Sequence, residues 1–357
     1  MNEQGEIRFS HVDNHGTNLL LIRLKFGRQT KRRKTMKRAN IMRTIGVGVS
    51  LVLLISGCAK SDTNTLPDSS TPIDFTPLVT RAAVTSLGEG NSFAVWARES
   101  SDGTSQQILT QEEVHCSNGT WSYNNLRYWK LGKTYDFYAL YPHDTPNAGL
   151  QNSLSGETPQ IIVTNFDTRN AVDLMTAEHA GILYTGNPSP VIFTFRHLLS
   201  QVEIIGRIDP ALTAAGVSVR LVSASFHGMP ATGSCTISPG TFGTWSLGPA
   251  TTAASPFVSS EELALSETGT SVFNEMLTFP QPVSDALQLD LVYEYTDANY
   301  TVNRFSKSIR LADAGITEWQ PSTGYRYTFT IGNEYILFEK PDVLPWRSAS
   351  GGIITVK

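Results

Sequence analysis

The chain has 357 residues, with 28 lysines and arginines against 32 aspartates and glutamates. The first 57 residues hold 11 of those cations and 3 of the anions, which leaves residues 58–357 with 17 and 29 and a net charge of −12. An acidic body of this size argues against nucleic acid or anionic lipid as a charge-held partner, and it is long enough for two domains with real cores.

Residues 1–35 fit neither a domain nor an ordinary targeting segment, and Met36 is the more natural start. The basic run Arg28-Gln29-Thr30-Lys31-Arg32-Arg33-Lys34 lies ahead of everything else and is read as discarded sequence rather than a nucleic-acid patch. From Met36 the layout is that of a secretory signal. Lys37, Arg38 and Arg43 precede an apolar run over residues 45–55, which is too short to span a bilayer. The run closes in Leu54-Ile55-Ser56-Gly57-Cys58, a lipobox. A thiol directly after Ser-Gly can take a diacylglyceryl thioether before cleavage, after which the new amino terminus is acylated. Several chains hold to a membrane far better than one, so Cys58 is the expected lipidation site.

Residues 58–71 are polar, rich in Ser, Thr, Asp and Pro, and read as a tether. Beyond them the apolar pattern has period two. Tyr135, Phe137, Ala139 and Tyr141 form one such series, and Leu287, Leu289, Leu291, Tyr293 and Tyr295 another, both expected as half-buried strands. The second series enters Thr296-Asp297-Ala298-Asn299 and leaves through Tyr300 and Val302 toward Phe305 and Ile309, which predicts a hairpin. Trp319, Pro321 and Gly324 then introduce Tyr325, Tyr327, Phe329 and Ile331 as one more strand. No segment sustains helical spacing over a dozen residues, so helix should be scarce. Short strands with frequent turn signals imply an all-β fold of antiparallel sandwiches with Greek-key connections. The turn cluster at residues 186–190 suggests a division into domains at 72–187 and 188–357.

Few constellations suggest chemistry. The metalloprotease, nucleophile-elbow and phosphate-binding patterns are absent from the sequence. His115, His143, His179, His197 and His227 are dispersed without metal-ligand spacing, and His197 is expected as a hydrogen-bonded histidine at a strand end. Glu112-Glu113 and Glu261-Glu262 are adjacent, so in strands they face opposite ways, while Asp167, Asp173 and Glu178 leave a facing carboxylate pair open. Cys116 and Cys235 lie 119 residues apart with no CxxC partner and are expected as buried free thiols. The reading is non-enzymatic, with no cofactor and no metal.

Residues 72–83 carry a mechanistic pattern. The segment from Pro72 to Ala83 starts with strand-like alternation, and its two prolines, Pro72 and Pro77, confine it to a sheet edge. Arg81 follows among small residues, where a trypsin-like protease could cut between Arg81 and Ala82. Loss of the preceding strand would leave a groove with unpaired backbone and an apolar floor, open to another chain's strand.

Four places then resemble a known family: Ile73-Asp74-Phe75 with Thr80-Arg81-Ala82, the stretch from Trp129-Lys130-Leu131-Gly132-Lys133 through Tyr141-Pro142, Phe193-Thr194-Phe195-Arg196-His197, and Trp319-Gln320-Pro321 through Tyr327 with Trp346. In this order, and behind a lipobox, the chain resembles the fimbrillin-like proteins of Bacteroidales, lipoprotein subunits of the type V pilus. The resemblance implies two tandem transthyretin-like β-sandwiches, outer-membrane export as a lipoprotein, and surface display. It also implies cleavage after Arg81, strand exchange with other fimbrial subunits, and a role in adhesion. Ile353, Ile354, Thr355 and Val356 are the candidate donor strand, a short one of about 3.3 Å per residue. The competing reading is a monomeric surface lipoprotein that binds glycan or a host ligand through loops of the sandwich, with Trp121, Tyr123, Tyr128 and Trp129 as residues that could stack on sugars.

Overall fold

The computed structural model describes residues 71–79, 87–145, 149–153, 159–251 and 257–346. Among them strands dominate, and the one α-helix is the single turn Pro210–Ala214, whose Asp209 side chain caps it by accepting from the Ala211 amide. Scarce helix follows from the Gly and Pro spacing, as expected.

A seven-stranded sheet runs in the order Phe75–Val79, Val191–His197, Met175–Leu183, Thr134–Tyr141, Ser92–Ser101, Thr104–Ser117 and Thr120–Ser122. Thr134–Tyr141 sits at its centre. Tyr135, Phe137 and Ala139 enter one apolar cluster with Phe93, Phe193 and Phe195, while Tyr138 and Leu140 enter another with Trp96, Phe166 and Trp346. The alternation in sequence suggested one buried face, and the structure buries both. Strands covered on both sides read as near-continuous apolar runs, and Tyr135-Asp136-Phe137-Tyr138-Ala139-Leu140-Tyr141 is nearly one.

The second apolar cluster lies between this sheet and a four-stranded sheet ordered Thr244–Leu247, Thr232–Ile237, Gln160–Asp167 and Gly149–Ser153. Strands from before and after residue 187 therefore share backbone hydrogen bonds here. The expected division at 187 meets a turn inside the seven-stranded sheet, because Val191–His197 pairs back onto Met175–Leu183. The chain leaves that sheet only after His197.

Two further sheets face each other over the largest cluster. One contains Thr270–Thr278, Ser200–Ile208 and Thr323–Ile331, with Ile336–Phe338 and Asp342–Pro345 both paired to the last of these. The other runs Phe257–Ala264, Ser218–His227, Gln288–Thr296 and Val302–Arg310. The predicted hairpin is present: Gln288–Thr296 and Val302–Arg310 pair in register from Gln288↔Arg310 to Thr296↔Val302. Its turn is held by the Asp297 carboxylate, which accepts from the amides of Asn299 and Thr301.

Among the described strands two pairings run parallel, Phe75–Val79 with Val191–His197 and Ser200–Ile208 with Thr323–Ile331. Alternation reports which residues share a face and carries no strand direction, and parallel partners need a long crossover, so sequence pattern could not reveal them. The Trp319 to Tyr327 motif builds the start of the central parallel strand. Trp319 is fully buried and donates from Nε1 to the Tyr327 hydroxyl at 2.9 Å, and the Gln320 amide donates to the Tyr325 hydroxyl at 2.8 Å.

Cys116 and Cys235 are both buried and free of any disulfide. Burial pushes the Cys235 thiol up to about 12, and desolvation likewise pushes Tyr327 up to about 12. The folded state holds both groups neutral, so their contribution to stability is complete below the unfolded thiol value of about 8.5 and declines as pH rises toward the folded value. The urea midpoint should therefore fall between pH 8 and pH 10.5, and Cys235 should resist a thiol reagent at pH 8 until urea is added.

Phe279, just past the end of Thr270–Thr278, is fully buried in the second apolar cluster, against the four-stranded sheet. Its ring lies 4.7 Å from that of Trp245 and 6.3 Å from that of Phe166. Phe279→Ala should cost about 3–5 kcal/mol in urea unfolding, with one cooperative transition retained. A loss under 1 kcal/mol would contradict this shared core.

Candidate assembly site

The segment from Thr71 to Val79 is fastened on both sides. On one side the Ile73 amide donates to the Arg127 carbonyl at 2.8 Å, the Trp129 amide to the Thr71 carbonyl at 3.1 Å, and the Tyr123 hydroxyl to the Ile73 carbonyl at 2.9 Å. On the other, the Val191 amide donates to the Asp74 carbonyl at 2.7 Å, and the strand continues in parallel register from Phe75↔Val191 to Val79↔Phe195. Pro77 carries no amide hydrogen, which an edge strand tolerates and a central one does not.

Side-chain alternation follows the sequence. Ile73, Phe75 and Pro77 are buried, whereas Asp74, Thr76 and Leu78 are exposed. The Phe75 ring stacks on Phe193 at 5.6 Å, meets Tyr123 at 5.3 Å and meets the edge of Phe137 at 5.8 Å. Phe93 extends this floor, 5.8 Å from Phe193 and 5.3 Å from Phe195. Each fully buried side chain of this kind contributes roughly 1.5–3 kcal/mol, so the strand is held chiefly by two or three inward residues. The sequence disclosed those inward residues. It gave no signal for the backbone bonds that Arg127, Trp129 and Val191 make to this segment.

Of the sequence-derived site residues, Cys58, Arg81, Ala82, Ile353, Ile354, Thr355 and Val356 lie outside the described residues. Val79, two positions before Arg81, is the last described residue of this segment.

The aromatic residues considered for ligand stacking are mostly core. Tyr123 and Trp129 are buried, Trp121 packs 5.1 Å from Phe93, and among the four only Tyr128 is exposed. Trp129 lies between Tyr184, stacked at 5.2 Å, and Tyr135, edge-on at 4.8 Å, which accounts for the Trp129 to Phe137 motif.

The open carboxylates are separately engaged. Asp167 accepts from the Arg169 side chain and amide, which hold its carboxyl below the usual range. Asp173 lies 2.8 Å from Nδ1 of the fully buried His197, whose ring stacks on Trp346 at 4.3 Å. Glu178 accepts from the Gly240 amide at 2.7 Å. His197 is thus a packed, hydrogen-bonded histidine at a strand end. No cluster of ligating side chains able to hold a metal occurs among the described residues.

The Fimbrillin-like family pattern matches residues 80–346. The chain belongs to the fimbrillin-like family. A fimbrial protein from Bacteroides vulgatus ATCC 8482 is similar in structure, with a TM-score of 0.58 and 17% identity over 77% of this chain and 99% of that one. A protein from Bacteroides ovatus ATCC 8483, described as a candidate cell adhesion protein, has a TM-score of 0.49 and 15% identity over 78% of this chain and 99% of its own. At such identity the first likeness speaks for the shared all-β fold. No curated relative matches the sequence.

Replacing Phe75 should loosen the edge strand selectively. In Phe75→Ala, amide hydrogen exchange across Phe75–Val79 should accelerate at least tenfold while Ser200–Ile208 is unchanged. Unaltered exchange in the first strand would show that the aromatic floor does not hold it.

Proposed function

We propose that the chain is a fimbrial subunit, exported as a lipoprotein through Cys58 and assembled by protease-triggered strand exchange, with a role in adhesion. The observation that carries this reading is the placement of Ile73 to Val79: an edge strand whose buried face is an aromatic trough and whose loss would strip partners from Val191–His197. Cleavage between Arg81 and Ala82 falls just beyond that strand. It would free the segment from the rest of the chain while Cys58 keeps the released piece at the outer membrane. Fimbrial neighbours are the partners, and an incoming strand would recover what the departing one loses, namely the burial around Phe193 and the backbone pairing. Ile354 and Val356 on one face, or Ile353 and Thr355 on the other, are the candidate donor residues of a neighbouring copy.

Arg81→Ala should accumulate a longer, lipid-tethered form that stays out of polymers. Mass spectrometry of the amino terminus and gel analysis of sheared surface fibres read both effects, and a normal polymer yield from this variant would overturn the processing step. Cys58→Ala should abolish incorporation of labelled palmitate and lower the amount at the outer membrane.

A further inference from the structure

A second edge of the molecule is open without any cleavage. Among the described residues, Val302–Arg310 is the outermost strand of its sheet, paired on one side only, to Gln288–Thr296. Every residue in it is exposed except Ile309, which is half-buried. Nine residues at about 3.3 Å each make a free edge of about 30 Å, and alternate residues along it point their amide and carbonyl groups away from the sheet.

The inward face of this strand follows from the register. Phe305 lies opposite Tyr293, Lys307 opposite Leu291 and Ile309 opposite Leu289, and all three partners are buried in the core. Phe305, Lys307 and Ile309 therefore face the interior of the sandwich. The facing sheet cannot cover them, because its corresponding strand, Ile336–Phe338, has only three residues. What remains is a groove of about 790 Å³, lined by Tyr293, Tyr295, Phe305, Tyr335 and Phe338 as well as by Lys307. Its rings are already fixed. Phe305 stacks on Tyr293 at 5.5 Å, Phe338 stacks on Tyr327 at 5.5 Å, and the Tyr335 hydroxyl donates to the Asp209 carboxylate.

Charge distinguishes this edge from the rest of the chain. Val302–Arg310 carries Arg304, Lys307 and Arg310 and no acidic residue, although the chain beyond residue 57 has a net charge of −12. Arg304 and Arg310 are met by Glu294, Asp285 and Asp313. Lys307 forms no ion pair among the described residues; it shares the groove lining with the aromatic rings, with Glu334, and with Asp313, which is paired to Arg310. An inward lysine on an edge strand penalises any purely apolar strand laid over it, because its ammonium would be buried unpaired. A strand that brings a carboxylate to that position removes the penalty.

We propose that Val302–Arg310 and the aromatic groove beneath it form a docking surface for an extended acidic polypeptide strand, which pairs with the free edge and sets a carboxylate against Lys307. The backbone supplies the pairing, the trough around Phe305 and Phe338 receives the apolar side chains, and Lys307 selects the charge. This surface is separate from the first-strand site and needs no proteolysis.

The test uses the full chain carrying Arg81→Ala, so that the first-strand trough stays filled. The probes are fluorescent nine-residue peptides alternating valine and threonine, with glutamate placed at each inward position in turn, and matched sets with lysine or leucine there. At least one glutamate peptide should bind at least tenfold more tightly than its lysine counterpart in fluorescence anisotropy, and should slow amide exchange at alternate residues of Val302–Arg310. Lys307→Glu, at an exposed position, should leave the thermal midpoint unchanged and reverse the preference toward lysine peptides. The proposal fails if no glutamate peptide binds, or if the preference survives Lys307→Glu. It also fails if neutral oligosaccharides, and not peptides, occupy the groove without protecting the edge amides. None of these failures bears on cleavage at Arg81, which is read from the amino terminus and the polymers.

Discussion

An antiparallel edge strand leaves an amide and a carbonyl unpaired at every second residue, and the treatment of those edges organises this molecule more than any feature of its cores. The seven-stranded sheet closes its edge with Phe75–Val79, a strand connected to the rest of the chain on its far side through residues 80–86. Parallel pairing with Val191–His197 and the bonds to Arg127 and Tyr123 place it over the aromatic floor, and the stacking of Phe75 on Phe193 seats it there. A covering element of this kind is separable in a way a central strand is not. Its removal costs one strand's worth of pairing and a few buried side chains, while Thr134–Tyr141 and Ser92–Ser101 keep both their neighbours.

The sequence disclosed this strand unusually well because its signals are local. Alternation of Ile73, Phe75 and Pro77 against Asp74, Thr76 and Leu78 specifies the buried face, and a proline within the strand specifies an edge. The Asp297 turn and the hairpin around it were legible for the same reason. What escaped were relations across distance: the parallel partner at Val191, the burial of Thr134–Tyr141 on both faces, and the four-stranded sheet assembled from residues on either side of 187. The turn at residues 186–190 has the composition of a boundary, yet turn residues report only that the backbone reverses, and here it reverses within one sheet. The aromatic cluster at Tyr123 and Trp129 shows a similar ambiguity. Large rings in strands can stack on a ligand or on one another, and only burial decides.

The two edges of the chain make a physical contrast. The first is covered from within by an apolar strand, whose Phe75 sits among the rings of Tyr123, Phe137 and Phe193. The second has no further partner among the described residues and has a lysine in the row of residues that faces the interior. An apolar trough accepts any strand of suitable shape, so the tethered, cleavable cover proposed above would serve to keep it filled until assembly. A trough guarded by an unpaired ammonium can stand open, because a strand lacking the matching carboxylate loses on desolvation what it gains by burial. Under the proposed charge selection, Val302–Arg310 stands exposed in the isolated chain without pairing indiscriminately.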